Sequence, residues 1–221
     1  TLGYETDSCD KQGHILRFGP SLFCDSTSAA LYLEKYFLGS IEQYPPKVSA
    51  LKYQGKPYYY YARKGIDIPI AKRSVTIHQY ENLCVSYPSI EVDILCSSGT
   101  YIRAIARDLG SKLQSYACLS MLRRNYICPW TAAQMQSLEH VLSAESLKDL
   151  MQPIDAVLAH YPSIAINSLQ LDALRQGKFL QLTLDTKHDI IKVYVKDTFY
   201  GLVQVYTDKL YKPLKIITQD Y

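Results

Sequence analysis

From Ile90 to Cys96, Ile90, Val92, Ile94 and Cys96 alternate with Glu91 and Asp93, the two-residue period of a strand with one buried face. Beyond a turn of small residues, Ile102, Ile105, Ala106, Leu109 and Leu113 recur at helical spacing. The period switches across Ser97–Tyr101, so a strand is expected to pass directly into a helix. Ser98 or Thr100 is expected to cap that helix, Gly99 accepts backbone angles closed to other residues, and Gly110 is expected to interrupt or end it. Upstream, Val75, Ile77, Gln79, Leu83 and Val85 alternate and are expected to pair with 90–96. Ala30, Leu31, Leu33, Tyr36 and Phe37 predict an amphipathic helix from Thr27, capped by Asp25 or Ser26 and closed by Gly39.

The ends of the chain carry weaker patterns. Thr1-Leu2-Gly3-Tyr4 reads as the end of a strand, followed by a turn from Thr6 to Gly13 whose Asp7 and Asp10 are turn formers first and acid/base candidates second. Leu119–Ile127 reads as an edge strand with a solvated end, and 138–142 and 147–150 as short helical stretches broken by Pro153. His140, without a partner at metal spacing, reads as a surface residue. Tyr161-Pro162-Ser163 is expected to be a linker. After it, Leu169, Leu171 and Leu174 form a short helix ended by Gly177, then short strands at 179–184, 190–195, 199–206 and 214–217 suggest a small barrel or sandwich. The expected class is α+β, a mixed or antiparallel sheet with flanking helices over 1–162 and a small β domain over 163–221.

Composition narrows the function. Apolar residues make up 48% of 221, enough for a sizeable core, with no apolar run long enough for a membrane span. The six cysteines (Cys9, Cys24, Cys84, Cys96, Cys118 and Cys128) include no C-x-x-C pair, which favours reduced cytoplasmic thiols over a disulfide framework or a metal site. Nor is there an internal repeat, a Walker loop or a dinucleotide fingerprint.

Charge matters through its placement. Between residues 47 and 73, Lys47, Lys52, Lys56, Arg63, Lys64, Lys72 and Arg73 face Asp67 alone, a local net charge of +6 in a chain of +3, so the remainder sums to −3. Tyr53 and Tyr58 to Tyr61 are interleaved with these cations. Cations for phosphates beside aromatic faces for unstacked bases is the composition of an RNA contact surface. The competing reading is a solvated loop with its tyrosines folded onto the core. The turn at 97–101, for its part, lifts Tyr101 and Arg103 to the end of a strand and the first turn of a helix. Outward-pointing N–H groups there suit anions and reacting groups, where an ordinary strand-to-helix junction needs neither side chain for packing.

Cys96-Ser97-Ser98-Gly99-Thr100-Tyr101-Ile102-Arg103 resembles the Cys-x-x-Gly-Thr-Tyr-Ile-Arg signature of the TruB branch of pseudouridine synthases, which includes the dyskerin-type enzymes. The resemblance covers nearly the whole chain. Leu2-Gly3 with Thr6-Asp7, Asp10 and Gly13 resembles the family's opening strand and turn. Pro45, Ser49-Ala50-Leu51-Lys52-Tyr53-Gln54-Gly55-Lys56, Tyr61-Ala62-Arg63 and Gly65 resemble the RNA-gripping thumb of the bacterial branch. The resemblance implies an enzyme that isomerises the T-loop uridine at tRNA position 55, with a small PUA-like RNA-binding domain at the C-terminus. It implies that Tyr101 packs against the target base, that Arg103 pairs with a nucleophilic aspartate and that Leu122 contacts the target nucleotide. Lys52, Lys56, Arg63, Lys64 and Arg123 are expected to contact the RNA, whose T stem-loop is the partner.

Pseudouridine formation breaks a glycosidic bond and rejoins the sugar to carbon 5 of the same ring, through an enzymic aspartate and without metal or organic cofactor. The family's Gly-x-Leu-Asp-x-x-Ala-x-Gly motif, which carries that aspartate, does not occur in these residues, so the chain is expected to lack the N-terminal part of the catalytic domain and to be inactive by itself, and Asp7 and Asp10 are not promoted in its place. Gln114-Ser115-Tyr116-Ala117-Cys118 stands where the family has glycines after the central helix. A monomer in the cytoplasm, independent of membranes, is the expectation. The rivals are a non-catalytic RNA-binding or RNA-folding module and a nucleoside-level hydrolase using Asp7 and Asp10.

Overall fold

The structure, a computed structural model, describes residues 1–20, 24–184 and 186–217. Their contacts fall into two units, Thr1–Arg123 and Arg124–Tyr221. The expected linker at Tyr161–Ser163 lies inside the second unit, and the domain assigned to 163–221 runs past the described residues at 218–221.

In the first unit the elements are β1 (Tyr4–Thr6), β2 (Ile15–Phe18), α1 (Ser26–Phe37), β3 (Gly39–Gln43), β4 (Lys52–Tyr53), β5 (Lys56–Pro57), α2 (Tyr58–Arg63), β6 (Arg73–Ser86), β7 (Ser89–Cys96) and α3 (Ile102–Lys112). The alternating segments pair as their pattern predicts: β6 and β7 form an antiparallel hairpin, and β3 adds to the other edge of β6. Along β7 the odd-numbered residues are exposed while Ile90, Val92, Ile94 and Cys96 turn inward. Leu33 and Phe37 of α1 and Ile105 and Leu109 of α3 close over Ile77, forming one buried cluster. Each such side chain contributes about 1.5–3 kcal/mol of gross burial free energy. Asp25 is the N-cap of α1, accepting from the Ser28 amide at 2.7 Å.

Two local expectations for α3 are corrected. Its N-cap position is Tyr101, and neither Ser98 nor Thr100 caps it; the Thr100 hydroxyl donates instead to the Ser97 carbonyl at 2.8 Å, tightening the turn in which Gly99 takes φ +82°. Gly110 does not end the helix, which continues to Lys112. A Cβ there would lie 2.5 Å from the Ala117 amide nitrogen, so the residue is small because another backbone passes against it. The left-handed turn after the helix falls to Gln114, at φ +56°. The segment beyond it runs beside the chain's start, with bridges from Leu2 to Ala117 and from Asp10 to Leu119.

The second unit begins with a minimal hairpin, β8 (Tyr126–Ile127) and β9 (Trp130–Thr131), so strand is confined to the last two residues of the expected 119–127 segment. Then follow α4 (Leu138–Ser143), β10 (Ser163–Ala165), α5 (Ser168–Arg175), β11 (Leu180–Gln181), β12 (Ile190–Val195), β13 (Thr198–Thr207) and β14 (Leu210–Ile216). Five of the strands form one sheet in the order β10-β12-β13-β14-β11, with β10 parallel to β12 and the other pairs antiparallel. Asn167 and Gln170 make a reciprocal cap on α5, whose Leu171 and Leu174 bury against Ile191, Val193, Val203 and Tyr211. No described helix is long and apolar enough to cross a membrane.

Candidate active site and thumb

Arg103, in the first turn of α3, is the point where three segments meet. Its Nη1 donates to the Ser8 carbonyl at 2.9 Å and to Asp10 Oδ2 at 3.2 Å, and its Nη2 donates to the Val48 carbonyl at 3.0 Å. The two charged side chains are each about a quarter exposed, at 25% and 27%, so the pair is partly shielded from water. Ser8 and Asp10 belong to the turn between β1 and β2, and Val48 stands at the root of the thumb. Asp10 is further engaged by the Ser8 hydroxyl at 2.8 Å and the Gln12 amide at 3.1 Å, while Asp7 accepts from the His14 amide at 2.9 Å. Both carboxylates thus shape the turn, and Asp10 adds an ion pair that the sequence reading did not assign.

Tyr101 occupies the junction with extended backbone, φ −97° and ψ 102°. Ser97 binds it to the sheet, its amide donating to the Thr76 carbonyl at 2.8 Å and its hydroxyl accepting from the Thr76 amide at 2.9 Å. Gln43, buried at 2% exposure, holds the main chain of Tyr101 from the other side. The alternation in β3 was its only sequence signal: a polar residue at a position that faces inward.

The thumb folds from its own composition. Gln54 and Gly55, with φ of 46° and 81°, make the two-residue turn that joins β4 to β5, a geometry matched to strand twist. Tyr58 is buried, Tyr61 donates its hydroxyl to the Tyr53 carbonyl at 3.0 Å and stands edge-on to both Tyr53 and Tyr60. Lys56 and Lys64 lie 4.6 and 4.7 Å from the Tyr60 ring centre, and Arg63 lies 5.5 Å from that of Tyr59. Lys64, and after it Lys56, beside the Tyr60 hydroxyl hold its pKa below the ordinary phenol range. Tyr58 packs inward, whereas Tyr59 is 41% exposed. Of the seven cations, Lys47 pairs with Asp67 and Lys72 with Glu42, whereas Lys52, Lys56, Arg63, Lys64 and Arg73 are exposed with no ion-pair partner among the described residues.

Leu122 and Arg123 are exposed, Leu122 at 58%, in an irregular stretch and not in a strand. Leu119, bridged to Asp10, anchors that stretch, so Leu122 lies within about 11 Å of it along the chain. The first unit thereby contains every residue the sequence singled out: Tyr101 and Arg103 at the junction, Leu122 and Arg123 beyond Leu119, and Lys52, Lys56, Arg63 and Lys64 on the thumb.

Residues 1–102 match the TruB family pseudouridylate synthase N-terminal domain. The chain is 37% identical over 221 residues to the tRNA pseudouridine synthase B of Aromatoleum aromaticum, covering 98% of this chain and 70% of that protein. The chain belongs to the TruB family of pseudouridine synthases. Another family member, the tRNA pseudouridine synthase B of Bordetella pertussis, is 42% identical over 159 residues, 72% of this chain and 63% of its own length. Among solved structures, a Cbf5–Nop10–Gar1 complex matches with TM-score 0.59 at 19% identity, over 83% of this chain and 56% of the other. An H/ACA RNP bound to a substrate RNA containing 2'-deoxyuridine matches with TM-score 0.63 at 15% identity, over 91% of this chain and 64% of the other. At these identities the two structures establish the fold of the family core, and the chain spans less than two thirds of each.

Proposed function

We propose that this chain serves the isomerisation of the T-loop uridine at position 55 of tRNA, supplying the positioning groups and the RNA grip around an attacking carboxylate that is neither Asp7 nor Asp10. The observation that carries the reading is the Arg103 guanidinium, which ties the signature helix to the Asp10 turn and to the thumb root while spending three hydrogen bonds of its five donors on described residues. The remaining donors suit a second carboxylate, held ionised and oriented by a charge-assisted pair. Tyr101 would then stack on the detached ring, and Leu122 would contact the extruded nucleotide, because a uridine inside a folded RNA must leave its stack to react. Exposed cations on the thumb would follow the T-stem phosphates, and the five-stranded sheet with α5 would act as a PUA-like RNA-binding domain.

The test compares wild-type, Arg103→Lys and Arg103→Met forms of the full-length protein in single-turnover reactions with unmodified T stem-loop RNA. Lysine offers a point charge where arginine offers a planar fork, so it cannot reach the Ser8, Asp10 and Val48 oxygens together. Both variants should bind RNA within a few-fold of wild type and lose rate by about a hundredfold or more, the scale of one preorganised charged partner at a reacting centre. Normal rates in folded variants would refute the reading. Should Met unfold the protein, the Lys form decides.

A further inference from the structure

Gln43 makes two hydrogen bonds to the backbone of one residue fifty-eight positions away. Its Oε1 accepts from the Tyr101 amide at 2.8 Å and its Nε2 donates to the Tyr101 carbonyl at 3.1 Å. The side chain imitates a neighbouring strand, and only a carboxamide can do so, since the task needs one acceptor and one donor side by side. Glutamate of the same shape accepts but, ionised, cannot donate. Methionine of similar length does neither. Asparagine is shorter by one methylene.

The place it grips is the junction itself. The Tyr101 carbonyl also accepts from the Ala104 and Ile105 amides, at 3.0 and 3.2 Å, and so begins α3. No side-chain cap is present at that helix end among the described residues, which leaves Gln43 as a partner that fixes its first peptide. Two further side chains lace the same segment to the helix: Arg107 Nη2 donates to the Tyr44 carbonyl at 3.0 Å, and Arg103 Nη2 to that of Val48. Pro45 and Pro46 are fully buried between them. Residues 43–48 lead straight into the thumb. The lacing therefore sets the helix start against the thumb root, and Gln43 is its innermost tie.

We infer that Gln43 is a positioning residue for the reaction, holding the Tyr101 backbone so that the Tyr101 ring meets the target nucleotide in register. The inference rests on the proposed active-site role of Tyr101. Its test is a double-mutant cycle in the full-length protein, combining Gln43→Met or Gln43→Glu with Tyr101→Ala and following single-turnover rate, RNA affinity, melting temperature and hydrogen exchange of the Tyr101 amide.

On the wild-type background both Gln43 variants should lose tenfold or more in rate with RNA affinity within a few-fold, and the Tyr101 amide should exchange at least tenfold faster. On the Tyr101→Ala background the same changes should lower the rate by less than threefold, because the ring they misplace is gone. Unaltered rate or unaltered exchange in a folded variant overturns the inference. So does an equal loss on both backgrounds, which would mark Gln43 as structural and independent of Tyr101. If Gln43→Met does not fold, Gln43→Glu is judged by the same criteria. A Tyr101→Ala form that reacts normally would instead sink the active-site reading, an outcome visible in that single variant without reference to Gln43.

Discussion

Tyr80 carries its hydroxyl into the first unit's core, where the oxygen is buried without a hydrogen-bond partner among the described residues. Burial pushes its phenol well above the ordinary range, because the charged form has no water around it. An orphaned hydroxyl costs roughly 1–3 kcal/mol of desolvation, whereas the ring contributes by packing. Tyr80→Phe should therefore leave thermal stability unchanged or raise it by up to about 1 kcal/mol, read from the melting temperature. A loss of more than that would mean the oxygen has a partner after all. Asp10 shows the reverse case. A carboxylate that looked like a plain turn former accepts from the Ser8 hydroxyl, the Gln12 amide and Arg103, so its removal leaves a part-buried cation short of a partner.

At the scale of elements, the thumb is a short hairpin and a short helix, each too small to be stable alone, held by tyrosine edges and by cations over tyrosine faces. Lys52, Lys56, Arg63, Lys64 and Arg73 have no carboxylate partner among the described residues, which leaves their charge available to phosphates. Each phosphate neutralised steepens the log–log dependence of affinity on salt by roughly 0.7–0.9. Replacing Lys52, Lys56, Arg63 and Lys64 together with Ala should flatten that slope in a stem-loop titration, by up to about 3 if all four reach phosphates. Were slope and affinity both unchanged, the RNA would lie elsewhere. Lys47 and Lys72 serve as controls within the same segment: already paired with Asp67 and Glu42, they should each alter the slope less.

For the whole molecule, the two units have separate cores. Leu171, Leu174, Leu180, Ile191, Val193 and Val203 close one around the five-stranded sheet, and Leu33, Phe37, Ile77, Ile105 and Leu109 close another around the three-stranded sheet. Each core is continuous within its own stretch of chain, the property of a domain that can fold alone. Residues 124–221 expressed by themselves should melt cooperatively by circular dichroism. Leu174→Ala, which empties a fully buried site, should lower the stability of that piece by about 2–5 kcal/mol. A featureless, non-cooperative melt of the unsubstituted piece would show that its core depends on the first unit.

Periodicity along the chain was enough to determine the β6–β7 hairpin, the inward faces of α1 and α3 and the change of structure across Ser97–Tyr101. These follow from which side of a strand or helix each residue occupies, and that is set by spacing alone. The eight-residue signature and the basic, tyrosine-rich thumb likewise stood in the sequence, as residue types that carry their chemistry wherever they fold. The partners were decided only by the tertiary structure. Arg103 meets Ser8, Asp10 and Val48 across separations of 95, 93 and 55 residues, and Gln43 meets Tyr101 across 58. Two of the three Arg103 acceptors and both groups bound by Gln43 are main-chain atoms, which every residue possesses and no residue type announces. Which carbonyl faces which guanidinium depends on how the segments pack against each other, and no local pattern encodes that.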